Sequence, residues 1–128
     1  MKLLTFTIIN NDKAKSTWTH AYNGSRYLTT GNNSNLTGFT IPSTAKEILM
    51  IVGEYIPEHG NGVSNYNNFT TVLPISYYTL RFYVTINLDS TNFVQTTIYF
   101  ESLSELKMVN VYLGTGNIKG ITVHLWYR

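Results

Sequence analysis

The feature that most constrains this chain is strict alternation of apolar and polar residues in its second half. In residues 80–88, Leu80, Phe82, Val84, Ile86 and Leu88 take every second position, and Arg81, Tyr83, Thr85 and Asn87 fall between them. A period of two puts the two sets on opposite faces of an extended strand, whereas a helix would scatter them around its axis. Residues 93–101 repeat the pattern, with Val94, Ile98 and Phe100 opposed to Gln95, Thr97 and Glu101. The intervening Asp89-Ser90-Thr91-Asn92 reads as a four-residue hairpin loop. Residues 107–113 are expected to turn Val109, Val111 and Leu113 inward, and Gly114-Thr115-Gly116-Asn117 is a turn signal. The last strand, 118–127, aims Ile121, Val123, Leu125 and Tyr127 at a core.

The first half is less regular. Residues 3–9 read as a strand, because Thr5 and Thr7 interrupt what would otherwise resemble the apolar stretch of a signal peptide. Residues 17–22 and 25–30 suggest a hairpin around Asn23-Gly24, a dipeptide suited to tight turns. Residues 36–41 form a further expected strand. Residues 48–55 are almost continuously apolar, as in a central strand buried on both faces. A strand over 69–75 carries Pro74 near its end, where a missing donor costs least. Thr44-Ala45-Lys46-Glu47 and Ser102-Leu103-Ser104-Glu105 match a helix capping box, and at most one helical turn is expected at each. Short strands at this spacing imply an all-β fold, a jelly-roll-like antiparallel β-sandwich of about eight or nine strands. With no internal repeat or linker, residues 1–128 are expected to form a single β-sandwich domain.

Composition narrows the functional classes. Aromatics make up 14% of the chain and charged residues only 12%, about half the usual charged share. Nine basic residues face seven acidic ones without a basic run, so the clustered footprint of a nucleic-acid binder is missing. No segment approaches the apolar length of a membrane helix, so no membrane insertion is expected. Absence of cysteine removes thiol catalysis, disulfides and Cys-ligated zinc.

No nucleophile elbow, zinc-protease helix or phosphate-binding glycine loop occurs. His20, His59 and His124 have no local ligand spacing, and no metal or cofactor is implied. The carboxylates Asp12, Glu47, Glu54, Glu58, Asp89, Glu101 and Glu105 form no sequence-local catalytic pair, although two distant ones could converge as in a glycosidase. A non-enzyme is therefore expected.

Two regions stand out as candidate contacts. The first is the polar face of the last strand, Thr122, His124 and Trp126, which would join Tyr99 and Tyr112 in an aromatic interface or glycan platform. Coverage by a second layer is the competing explanation. The second is the loop over 57–68, whose Glu58, His59, Asn61, Asn65, Tyr66 and Asn67 offer groups for a sugar or cation. A plain solvated loop is the alternative there.

The run Gly38-Phe39-Thr40-Ile41-Pro42-Ser43-Thr44-Ala45-Lys46-Glu47-Ile48-Leu49-Met50-Ile51-Val52 resembles part of a domain common in bacteriophage tail-fibre and minor structural proteins. In that domain an apolar-x-Pro segment leads into a Lys/Glu-Leu strand. Val72-Leu73-Pro74-Ile75, Val111-Tyr112-Leu113-Gly114 and the closing Trp126-Tyr127-Arg128 are similar too, so the likeness spans roughly the last two thirds of the chain. The resemblance implies a β-sandwich at the tip of a virion fibre or tail appendage, assembled in the bacterial host cytoplasm. It implies a homotrimer that contacts other virion proteins and host-surface glycan, and it supplies no residue-level binding motif. A carbohydrate-binding module of a secreted bacterial protein and a capsid decoration or head-fibre protein are the alternatives.

Overall fold

The computed structural model describes residues 18–55, 63–87, 93–114 and 119–128. These residues form eight strands: β1 (Thr19–Leu28), β2 (Ser34–Leu36), β3 (Glu47–Tyr55), β4 (Val63–Pro74), β5 (Phe82–Asn87), β6 (Phe93–Ser102), β7 (Glu105–Leu113) and β8 (Lys119–Tyr127). A single 3₁₀ turn, Ile75–Tyr77, follows β4. The strands make two four-stranded sheets, ordered β1-β8-β3-β4 and β2-β7-β6-β5. Every described pairing is antiparallel. The expected all-β sandwich is the observed architecture.

The sheets share one core. Ile48, Met50 and Val52 of β3, Ile121, Val123 and Leu125 of β8, and Val94, Ile98 and Phe100 of β6 all belong to it. Each large apolar side chain taken out of water contributes about 1.5–3 kcal/mol. The alternation in β6 is complete from Phe93 to Phe100, with every second residue buried. Thr96 is the polar member of that inward row. Its hydroxyl donates to the Val109 carbonyl at 2.9 Å, which offsets the cost of burying it.

That bond sits at a bulge. Gln95 pairs with Tyr112 and Thr97 with Val109, so Asn110 and Val111 together face Thr96. Asn110 takes a positive φ of 56°, a conformation asparagine tolerates better than most residues. The extra residue shifts the parity of β7. Leu106 and Met108 point inward before it and Val111 and Leu113 after it, while Val109 is only half-buried. The expectation that Val109 points inward is thereby corrected.

Asn23-Gly24 is not a hairpin turn; it lies inside the continuous strand β1. Tyr22 bends over Gly24 and packs on Phe39, with ring centroids 5.6 Å apart. A Cβ on Gly24 would meet the Tyr22 ring, lying 2.8 Å from Cζ. The glycine thus gives room for an aromatic ring, a use that local turn statistics do not anticipate.

Other boundaries shift for similar local reasons. The expected strand over 36–41 ends at Leu36, two residues before Gly38 at φ 93°. Phe39 and Ile41 stay buried all the same, and the Ile41 amide donates to the Leu103 carbonyl at 2.8 Å. Ser102 pairs with Glu105 across the tight β6–β7 hairpin. There the Ser102 hydroxyl accepts from the Ser104 amide, so the hydroxyl read as a helix cap serves a turn. At the other capping-box match, the Ala45 amide donates to the Pro42 carbonyl at 3.0 Å, closing a turn. Glu47 is ion-paired to Arg128 instead of reaching back to Thr44. The expected strand over 3–9 and the loop residues 89–92 lie outside the described residues.

Candidate functional site

The antiparallel register of the second sheet sorts its outward side chains into cross-strand rows. Tyr83 of β5 is opposite Thr97 of β6, which is opposite Val109 of β7. In the next row, Thr85 faces Gln95, which faces Tyr112. On the other side, Tyr99 of β6 pairs with Lys107 of β7, and Lys107 pairs with Asn35 of β2. Arg81, just before β5, lays its guanidinium over the Tyr99 ring, 3.8 Å from the centroid.

This face is open. Tyr83 is 74% exposed and Tyr112 50% exposed. Thr85 and Arg81 are exposed, and Tyr99, Gln95 and Thr97 are half-buried. Phe93 props Tyr112 from the neighbouring row at a centroid distance of 5.8 Å. Rows along a strand recur about every 7 Å and strands lie about 4.8 Å apart. The backbone positions of Tyr83 and Tyr99 are thus about 8 Å apart, and those of Tyr83 and Tyr112 about 12 Å. Between the rings, Thr85, Gln95 and Thr97 present two hydroxyls and an amide, which donate and accept hydrogen bonds. Flat rings separated by small polar groups can stack against a ligand's apolar faces while its hydroxyls find partners.

The outer face of the first sheet differs. Thr122, His124 and Trp126 point outward from β8, as the alternation predicts, opposite Gly53, Ile51 and Leu49 of β3. Leu49 is fully buried and Ile51 is 2% exposed, yet neither belongs to the core cluster between the sheets. Thr122 is also fully buried, and its hydroxyl has no hydrogen-bond partner. His20, His124 and Trp126 cluster there: the His124 ring stacks on Trp126 at 5.4 Å, and His20 meets Trp126 edge-on at 5.6 Å. This face is closed over its middle and aromatic at one end.

The expected joint patch of Tyr99, Tyr112, Thr122, His124 and Trp126 is therefore not one surface. Tyr99 and Tyr112 lie on the outside of the second sheet, while the three β8 residues lie on the outside of the first. The expectation placed these residues on neighbouring outer faces. Consecutive strands often do pair, but β7 and β8 belong to different sheets.

The candidate loop fares differently along its length. Glu58, His59 and Asn61 lie outside the described residues. Asn65, Tyr66 and Asn67 fall in the backbone of β4, which starts at Val63, so that part of the expected loop is strand.

Arg81, Tyr83, Thr85, Gln95 and Thr97 belong to the open face of the second sheet without having been candidate site residues, although their polar positions in the alternation already place them on outward faces. A shallow depression among the described residues is lined by Thr37, Phe39, Thr40, Ser102, Ser104 and Glu105. Its ring, Phe39, is buried and offers no stacking surface. Glu47 is ion-paired to Arg128, and Glu101 lies 3.6 Å from Lys107. Among the described residues no group of three histidine, aspartate or glutamate side chains converges as metal ligands. Nor is any helix among them long and apolar enough to cross a membrane.

No family model, no curated protein and no solved structure matches this chain.

Proposed function

We propose that this chain is a non-enzymatic attachment module of a bacteriophage virion, of the tail-fibre or tail-tip type, that holds host-surface glycan on the outer face of its second sheet. The observation that carries the reading is the open row pattern of Tyr83, Tyr99 and Tyr112 around Thr85, Gln95 and Thr97. The rings free to stack are Tyr83 and Tyr112, whose backbone positions, about 12 Å apart, leave room for a short run of linked sugars, while the Tyr99 ring is covered by Arg81. The tyrosines stand on a rigid sheet, so little ordering entropy opposes binding. The phage assignment draws on the segment Gly38–Val52 and the later matching runs. Trimerisation comes with it, and so does contact with other virion proteins.

The test is a glycan array of bacterial surface polysaccharides probed with the wild-type chain and a Tyr83→Ala/Tyr112→Ala variant, beside mass in solution by sedimentation. A trimer whose glycan signal vanishes in the variant is the expected result. A glycan-binding monomer favours a carbohydrate-binding module of a secreted bacterial protein instead. A trimer without glycan signal favours a capsid decoration or head-fibre protein.

A further inference from the structure

We propose that the saccharide held on this face carries a carboxylate directly on its sugar ring, and that Arg81 receives it. The inference rests on the glycan reading above and adds the charge of the ligand.

The charges on the face are few and separable. Lys107 lies 3.6 Å from the Glu101 carboxylate, so that pair largely neutralises itself. The Glu47 carboxylate belongs to Arg128, away from this sheet, and Glu105, at the β6–β7 hairpin, lies two strands and one row from Arg81, about 12 Å by the same spacing. Arg81 is exposed, stacks on Tyr99, and has no carboxylate partner among the described residues. A guanidinium stacked through its face keeps its N–H edge for a planar, two-oxygen acceptor, and stacking lowers the entropy lost on binding. The tyrosine platform therefore presents one uncompensated positive charge at one end.

Spacing selects the carrier of the negative charge. Arg81 and Tyr83 are alternate residues on the same face, about 7 Å apart. A pyranose stacked on Tyr83 with a carboxylate fixed to its ring spans that gap. A phosphate on a flexible polyol chain does not need the tyrosine, and a neutral sugar does not need the arginine. Ring and cation side by side are complementary to a uronic-type or sialic-type residue.

The test measures binding of the full chain by calorimetry to trigalacturonate, a hyaluronan tetrasaccharide and sialyllactose, each beside its methyl ester. The expected result is at least one acid that binds about tenfold tighter than its ester, as one charge-assisted bidentate contact supplies. In Arg81→Gln that ratio falls to about one, and in Tyr83→Ala both forms weaken. Unchanged thermal melting of each variant shows that the fold is intact. Equal binding of acid and ester by the wild-type chain overturns the inference while leaving the glycan platform standing. An acid preference that survives Arg81→Gln overturns it too. No binding of either form of any probe also overturns it, and the array then decides whether the platform reading falls as well.

Discussion

The two outer faces of the sandwich are built from the same kind of strand but differ in their central strands, since on the first sheet only the edge residues Tyr27 and Val72 are exposed among the described large hydrophobic side chains that point outward. On the first sheet, Leu49, Ile51 and Thr122 lie outside the core cluster yet are buried. On the second, Tyr83 and Tyr112 stand in solvent. The difference traces to composition along single strands. The 48–52 stretch of β3 is apolar at consecutive positions, so both of its faces avoid water. β5 and β6 alternate cleanly, so one face seals the core and the other carries tyrosine, threonine and glutamine. A closed outer face signals coverage, and an open aromatic one is the kind of surface that interaction sites use.

Substitutions can break or sharpen this contrast. Ile51→Asp should have the largest effect. It buries an unpaired charge on the closed face, and a loss of more than about 4 kcal/mol is expected in urea unfolding. Tyr83→Ser, at an outward position of the open face, should change stability by less than about 1 kcal/mol in the same assay. Similar losses at both positions would erase the distinction. Gly24→Val should come next, costing about 1–3 kcal/mol because the new side chain collides with the Tyr22 ring. A melting temperature equal to wild type would show that Tyr22 moves aside freely. Asn110→Val should cost about 1–2 kcal/mol at its left-handed backbone position, whereas Asn110→Gly should be nearly neutral.

Thr122→Val should have the smallest effect, and of opposite sign. Its hydroxyl is buried without a partner, and an apolar replacement of the same shape should be neutral or stabilise by up to about 1 kcal/mol. A loss of stability in thermal unfolding would show that the hydroxyl is bonded after all.

Legibility in the sequence followed the range of the interactions involved. Alternation in 82–86 and 93–101 gave the faces of β5 and β6, because period two is a property of the backbone alone, whereas Leu80, expected on the same face, is exposed ahead of β5. The apolar run of β3 gave a strand buried on both sides. Three features depended on partners distant in sequence and were not readable. Gly24 looks like a turn until the Tyr22 ring is placed over it and against Phe39. Val109 looks inward until the bulge at Asn110 resets the register against Thr96. Tyr99, Tyr112 and Trp126 look like neighbours until the sheet order separates β7 from β8. The candidate site was half legible for the same reason. Its residue types and outward direction were local, but the assignment of strands to sheets was not.

The central claim is that the tyrosine face of the second sheet, not the histidine–tryptophan face of the first, contacts the ligand. Oxidative footprinting, read by mass spectrometry with and without host cell-surface polysaccharide, tests it most directly. Strong protection of Tyr83, Tyr99 and Tyr112 with unchanged labelling of His20 and Trp126 is the predicted outcome. Protection of His20 and Trp126 with the tyrosines still fully labelled would contradict it.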